Sequence, residues 1–302
     1  MRELIAVVGR LLGGGGTRVL TPLGAGTDHL AYDVDGEFVL RVRRDRQAAD
    51  GPAGDGPAGD GPAVNGPAAI RREIRVLDAV ARVSPIPVPE VVAAAPDDGL
   101  LVVRRLAGTS LLDQPCPTPG RLVGQLADFL HAVHSLDAGL GEPDEQPLAA
   151  YLAEAVAALP RITPVLSADQ HRLVVDFLSR TPPPEPPATV FCHADLGAEH
   201  LLAGADRTRL TGVLDWSDAA RTDPARDLGR LYRDLGPSPA ARIGARLTGT
   251  GAGDLVARAA FHARCALIED LDFGLTEGDH RYVAAALARL HRTFTGAPPE
   301  HG

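Results

Sequence analysis

The chain contains no lysine: all 30 of its basic residues are arginine. That absence excludes the Gly-x-x-x-x-Gly-Lys phosphate loop, Schiff-base chemistry and every other lysine-dependent site. A side-chain cation that grips phosphate must then be a guanidinium, which stays charged and can bind two oxygens at once. Cysteine is scarce as well, with 3 in all. Cys116, Cys192 and Cys265 lie far apart and form no Cys-x-x-Cys pair, which leaves no basis for a disulfide framework or a zinc knuckle and makes a reducing, cytoplasmic setting the expectation. No apolar run approaches the length of a membrane span, so no membrane partner is expected. Met1–Leu12, broken by Arg10, reads as a short amphipathic helix that lacks the long uncharged core of a signal peptide. The formal net charge of −9 argues against nucleic acid as a partner, since a phosphate-binding surface shows basic clustering.

What is present is enough apolar residue, 45% of 302 positions, for one large domain or a two-lobed unit with a generous core. The densest chemistry lies in residues 190–218. A short β-type run, Thr189–Cys192, delivers His193 and Asp195; Leu201 and Leu202 form a second apolar pair; the polar turn Gly204–Arg209 reverses the chain; and Leu210–Leu214 delivers Asp215. If the last two runs pair as a hairpin, Asp195 and Asp215 sit at the same end of one ribbon. One carboxylate can then orient a hydroxyl while the other holds a divalent metal on a phosphate. His193, Asp195, His200 and Asp215 also suit a metal-dependent hydrolase, and on residue types alone that alternative stays open.

His193-Ala194-Asp195, then His200, then Asp215-Trp216 resemble the catalytic loop and metal-binding strand of the aminoglycoside and macrolide phosphotransferase family, small-molecule kinases with a protein-kinase-like fold. The family pattern is His-x-Asp, four residues, Asn, and an Asp after a hydrophobic strand. This chain places His200 where most members have Asn, as the macrolide-phosphorylating branch also tends to do. The resemblance implies an α+β, two-lobed fold: an N-lobe over 1–106 with a five-stranded antiparallel sheet and one main helix, and a larger, mostly helical C-lobe over 107–302. It implies transfer of the γ-phosphate of ATP or GTP, with Mg²⁺, to a free hydroxyl of an aminoglycoside- or macrolide-like antibiotic, in resistance or self-protection. Asp195 would align the acceptor hydroxyl and take its proton late, with His193 bracing the loop. Asp215 would bind Mg²⁺. His200 would stand at the second metal position, or hydrogen-bond a phosphate or Asp195 while Glu199 or water completes the shell, because magnesium prefers oxygen ligands. Backbone near Gly24 and Gly26 would approach the phosphates, Arg41 would take the place of the strand lysine, and Glu73 would fix Arg41. The partner implied is a small-molecule acceptor, and the chain is expected to be a monomer or weak dimer. Two other readings are a kinase of a small hydroxylated metabolite, such as an amino alcohol or a sugar, and a non-catalytic nucleotide-binding homologue.

The rest of the chain supplies the frame. Thr17–Leu23 reads as a strand, and Leu30, Tyr32 and Val34 alternate before a two-residue turn at Asp35-Gly36. Phe38, Leu40 and Val42 alternate on the return strand, with Val39 and Arg41 sharing its opposite face. Residues 50–69 repeat Asp/Asn-Gly-Pro-Ala with a period of five and read as a disordered insertion. Ile70, Ile74, Leu77 and Ala81 mark a helical stripe with Glu73 at its border, either turned inward or solvated beside Arg72 and Arg75. Val91–Ala95 and Leu100–Arg105 read as strands, and Leu106–Gly108 as a hinge. Thr118-Pro119 is a helix start with a capping hydroxyl. It leads into the apolar face of Leu122, Leu126, Phe129, Leu130 and Val133, and His131 and His134 end that helix. Two helices follow within 148–180. The resemblance makes Asp227 a structural brace of the catalytic loop. From Asp254 a helix presents Val256, Ala260, Ala263, Leu267 and Leu271 inward and Glu269 and Asp272 outward, as a solvated acidic face or as one that receives substrate amines, and a last helix spans about Asp279–Phe294.

Overall fold

The computed structural model describes residues 2–13, 18–25, 29–44, 66–248 and 252–296. They fall into two units, Met1–Arg82 with Val88–Leu106, and Val83–Pro87 with Ala107–Gly302.

The first unit is built on an antiparallel sheet of β1 (Leu20–Ala25), β2 (His29–Val34), β3 (Phe38–Arg43), β4 (Val91–Ala95) and β5 (Leu100–Arg104), in the order β1-β2-β3-β5-β4. Period-two alternation decides its faces. Phe38, Leu40 and Val42 are buried, whereas Val39, Arg41 and Arg43 lie on the other side of β3. Helix α1 (Arg2–Leu12) adds Val7 and Val8 to the core formed by Tyr32, Val34, Phe38, Leu40, Val42, Leu100 and Val102. The β2–β3 register pairs Val34 with Phe38, leaving three residues between them where a two-residue turn was expected. Asp35 is drawn aside, its carboxylate accepting from the Val19 amide at 2.9 Å and from Arg18 at 2.9 Å.

Helix α2 (Pro67–Ala81) starts inside the expected disordered insertion. Pro67 stands at the first helical position, where its fixed φ costs nothing, so the repeat ends as helix at its last residues. Residues 50–65 of that repeat lie outside the described residues. The buried face of α2 is Ile70, Glu73, Val76, Leu77 and Val80, not the stripe through Ile74 and Ala81. Two valines outweigh one isoleucine in setting the rotation, and Glu73 is thereby carried to the inside.

The second unit contains α3 (Val123–His134), α4 (Leu148–Ile162), α5 (Ala168–Leu178), α6 (Ala225–Leu235), α7 (Pro237–Thr248), α8 (Ala252–Glu277) and α9 (His280–Thr295), with two small sheets. One sheet orders β10 (Leu210–Val213), β9 (Leu201–Ala203) and β6 (Thr109–Ser110); the other orders β7 (Glu142–Pro143), β11 (Ala220–Thr222) and β8 (Val190–Cys192). Thr118 does not cap α3: a 3₁₀ turn over Pro119–Arg121 intervenes, and no side chain bonds the free amides. The apolar face of α3 is buried as its spacing requires. Against expectation, Leu148–Val165 is long and apolar enough, by length and composition, to cross a membrane. Its buried face, Leu148, Ala155, Ala158 and Ile162, packs in one core with Phe177, Phe261, Leu267, Leu271 and Phe294. The fold class is α+β, an antiparallel five-stranded unit joined to a mostly helical one.

Candidate active site

Strand β8 runs buried into His193, after which the backbone turns sharply: Ala194 has φ 67°, in the left-handed region that side chains rarely occupy. Asp195 follows the turn. Downstream, β9 and β10 pair antiparallel, Leu201 opposite Val213, and the Leu214 amide donates to the His200 carbonyl at 2.8 Å. Asp215, again left-handed at φ 55°, therefore leaves the hairpin at the end where His200 enters it.

One imidazole ties these two points together. The Nε2 of His193 donates to the carbonyl of Leu214 at 2.8 Å, while its Nδ1 accepts from the amide of Asp195 at 3.3 Å. A carbonyl only accepts, so the proton sits on Nε2. The ring is fully buried, and burial holds its pKa below the ordinary histidine value, so the clip is neutral. Trp216 lies against this ring at 4.6 Å between centroids and is itself backed by Phe129. His193 thus fixes the backbone at Asp195 and at the residue before Asp215 without being a proton carrier in that state.

Asp227 in α6 holds the turn from behind. Its carboxylate accepts from the amides of His193 at 3.1 Å and Ala194 at 2.8 Å, and pairs with His134 Nε2 at 3.0 Å. Burial alone would raise its pKa, but His134, His193 and the Ala194 amide outweigh it and hold the carboxyl below its ordinary value. His134 is thereby accounted for as a brace, and His131 stays exposed on the same helix.

At the open side, His200 donates from Nδ1 to the carbonyl of Asp195 at 2.9 Å and stands 3.6 Å from Asp195 Oδ2. Burial pulls its pKa down, yet the charges of Asp195, Glu199 and Asp215 win and leave it above the ordinary value. Asp195 is the mirror case. Burial pushes it up, and Arg230, His200 and His193 bring it below the usual carboxylate value. Ligand atoms of Asp195, Glu199 and His200 lie within 4.8 Å of one another. These carboxylates, with Asp215, offer the oxygen donors a hard divalent cation takes; the imidazole offers only Nε2, its Nδ1 proton being committed. Asp215 is shaped by Ser217, whose hydroxyl donates to Oδ1 at 2.7 Å.

In the first unit Arg41 and Glu73 form the ion pair that the resemblance implied, with Glu73 buried and Arg41 Nη2 3.3 Å from His29 Nδ1. The alternative of a solvated Glu73 is excluded. Gly24 lies exposed in β1 just past a bulge, and Gly26 lies outside the described residues.

Sequence reasoning missed a buried ion cluster behind Asp195. Arg230 and Arg233 on α6 face Asp270 on α8; Arg233 is fully buried, 2.7 Å from Asp270 and 2.8 Å from Asp234, and 3.3 Å from Glu199. Arg289 on α9 pairs with Asp234 at 2.8 Å, and the other oxygen of Asp234 accepts from the Ala198 amide at 2.6 Å, tying the cluster to the loop. The expected outward face of α8 holds for Glu269, whose side chain is 65% exposed although it reaches Arg230; Asp272 is half-buried and pairs with Arg161, and Asp270, which lies between them in sequence, is inside. The signal was the run of charges at 226, 227, 230, 233 and 234, which helix geometry gathers along α6.

A family model described as the phosphotransferase enzyme family matches residues 19–262. None of the curated proteins matches the chain. Among solved structures, the GDP and kanamycin complex of an aminoglycoside 2''-phosphotransferase is 18% identical with a TM-score of 0.67, over 99% of this chain and 100% of that one. The apoenzyme of a macrolide 2'-phosphotransferase from Brachybacterium faecium is 19% identical with a TM-score of 0.58, over 100% of both chains. A GDP complex of aminoglycoside 2'-phosphotransferase-IIIa is 20% identical with a TM-score of 0.62, over 92% of this chain and 93% of that one. At such identities the likeness shows the fold.

Proposed function

The chain belongs to the phosphotransferase enzyme family, and from that premise we propose that it moves the γ-phosphoryl group of ATP or GTP to a hydroxyl of an aminoglycoside- or macrolide-like antibiotic. The observation that carries this reading is the His193 clip, which makes the carboxylates of Asp195 and Asp215 leave the backbone from one braced point. An in-line transfer needs that pairing: one group for the attacking oxygen, another for the charge on the phosphates.

In this reading Asp195 accepts a hydrogen bond from the acceptor hydroxyl. The acceptor oxygen forms its bond to phosphorus as the bond to the bridging oxygen breaks, the nucleoside diphosphate leaves, and the proton passes late to Asp195 and then to solvent. Asp215 is the carboxylate that holds Mg²⁺, with Glu199 or water completing the shell; the ion, when bound, neutralises charge on the transferred group. His200, with its pKa above the ordinary value and its Nδ1 spent on Asp195, presents an Nε2–H that donates to phosphate; only the neutral ring ligates a metal there. In the first unit, Arg41, held by Glu73, is the cation this reading assigns to nucleotide phosphate.

Kanamycin and nucleotide occupy one of the similar structures, and a macrolide phosphotransferase is another, which supports the acceptor class. The test is nucleotide consumption, with ATP and with GTP, against a panel of aminoglycosides, macrolides, amino alcohols and sugars. Stimulation by an antibiotic, with one phosphoryl group added to it by mass, bears the reading out. Stimulation only by an amino alcohol or sugar moves the acceptor class, phosphate release indifferent to acceptor means a hydrolase, and binding without turnover means a non-catalytic homologue.

A further inference from the structure

The segment His193–His200 contains no arginine, and the chain has no lysine to place there. Among the described residues one guanidinium reaches the proposed base, and it comes from another element. Arg230 Nη2 lies 3.1 Å from Asp195 Oδ1 and equally 3.1 Å from Glu269 Oε2, while Nη1 stands 3.7 Å from Asp270 Oδ1. The arginine is buried, whereas the Asp195 side chain stays 23% exposed. So the carboxylate has a fixed side and an open one. Its Oδ1 faces Arg230; its Oδ2 has, among the described residues, His200 Nδ1 at 3.6 Å, and that proton is already given to the Asp195 carbonyl at 2.9 Å.

We propose that Arg230 is a positioning residue: by holding Oδ1 of Asp195 it turns Oδ2 toward the place where an acceptor hydroxyl must bind. The inference rests on the phosphotransferase reading above. The physics is that of a soft torsion. A carboxylate χ2 well is broad and nearly two-fold, so an unanchored aspartate samples many orientations. A displacement of about 1 Å in a catalytic group can cost about 100-fold in rate. The guanidinium acts here as a buried, permanent charge whose Nη2 stands equally near two carboxylates, 3.1 Å from Asp195 Oδ1 and 3.1 Å from Glu269 Oε2. Glu269 pairs with the same nitrogen but its own side chain is 65% exposed, so the burial of Arg230 is what limits the guanidinium's movement if the carboxylate swings. The helices carrying these groups approach closely at the neighbouring residue: a Cβ on Gly229 would lie 2.7 Å from the Cβ of His262 and 3.0 Å from the Ala259 carbonyl. A side chain there would drive α6 from α8 and take Arg230 with it.

A double-mutant cycle on the full chain separates positioning from structure. Turnover is followed as phosphate release from Mg²⁺-ATP and Mg²⁺-GTP with water as acceptor, and with whichever panel acceptor stimulates most, for D195N, R230Q and the double variant, each checked for folding by thermal unfolding. Arg230→Gln alone is expected to lower turnover about 10- to 100-fold with nucleotide KM within about 2-fold. In the Asp195→Asn background it should change the residual rate less than about 2-fold, because the group it positions is gone. Wild-type turnover in R230Q, or losses that multiply in the double variant, overturns the inference and leaves the phosphotransferase reading intact. Wild-type turnover in D195N overturns that reading itself. If R230Q does not fold, Arg230→Lys, with one nitrogen in place of the guanidinium's three, carries the same cycle to the same criteria.

Discussion

Asparagine in place of Asp227 is the sharpest probe of the frame behind the site. Asp227 is fully buried and takes three hydrogen bonds, from the amides of His193 and Ala194 and from His134. The substitution keeps the shape and removes one acceptor, putting an NH₂ group where a carboxylate oxygen met a donor. At least one amide or the His134 nitrogen then faces another donor with no water to take its place. A lost hydrogen bond to a charged group is worth about 1.5–3 kcal/mol, and a buried donor left unpaired costs about 1–3 kcal/mol, against which the variant recovers the expense of burying a charge. A net loss of about 2–4 kcal/mol follows, which lowers Tm by roughly 3–8 °C in a chain of this size. Asp195 is the next residue after the braced His193–Ala194 turn, so turnover should fall by about ten-fold or more.

The same variant carries a pH signature. The carboxyl of Asp227 is held below its ordinary value when folded, so its contribution is fully present above the unfolded pKa near about 4 and is lost as pH falls through the folded pKa. Thermal unfolding of parent and variant at neutral pH and again below pH ~4 should show a Tm gap that narrows on acidification. A gap under about 2 °C at neutral pH, with turnover unchanged, would refute the claim that this carboxylate supports the loop.

Three further outcomes are expected. His200→Asn should keep metal-dependent turnover within about ten-fold, because an amide NH₂ can still donate to the Asp195 carbonyl, whereas His200→Leu should lose more; equal losses would deny that bond its role. Gly229→Ala should cost about 1–3 kcal/mol, read as a lower Tm, since the three atoms its Cβ meets, the His262 Cβ, the Ala259 carbonyl and the Ala263 amide, all belong to the packed α8 helix; an unchanged Tm would mean the helices separate freely. Burial, with Glu199 and Asp234, pushes the carboxyl of Asp270 up to about 8 despite Arg233 and Arg230. The folded chain therefore keeps a proton that the unfolded chain gives up, and stability should fall as pH rises from about 4 to about 8. Asp270→Asn should flatten that slope in a series of unfolding curves, and parallel curves for parent and variant would contradict it.

The parts of the site that were legible in the sequence are those whose partners are near in sequence or fixed by a period. Alternation along β3 put Arg41 on the face away from the core, and the apolar pair before the 204–209 turn placed the hairpin that brings Asp215 back beside the His193 loop. Glu73 was undecided because the helix period was counted through Ile74; Val76 and Val80 rotate the helix and turn the carboxylate inward. The hairpin length was missed because a side-chain bond, Asp35 to the Val19 amide, adds a residue that the Asp-Gly signal does not reveal. The cluster of Arg230, Arg233, Asp234 and Asp270 was invisible for a different reason. Patterning treats charge as an outward mark, and α6 is buried almost all round, so its charges face partners on α8 and α9 some forty to sixty positions away.

The missing lysine bears on that cluster in a way composition alone does not show. A lysine forced inside can give up its proton, but a guanidinium does not, so any imbalance among buried charges must be settled by the acids. Around Arg230, Arg233 and Arg289 stand Asp195, Glu199, Asp234, Glu269 and Asp270, more carboxylates than cations. The group that yields is Asp270, the one whose pKa burial and neighbouring carboxylates raise. Once Asp270 is neutral, Arg230 has less reason to turn toward it, which agrees with 3.7 Å to Asp270 against 3.1 Å to each of Asp195 and Glu269. The grip on Asp195 is therefore set by how the acids share protons, and a lysine at 230, able to discharge itself, would weaken it by a route closed to arginine.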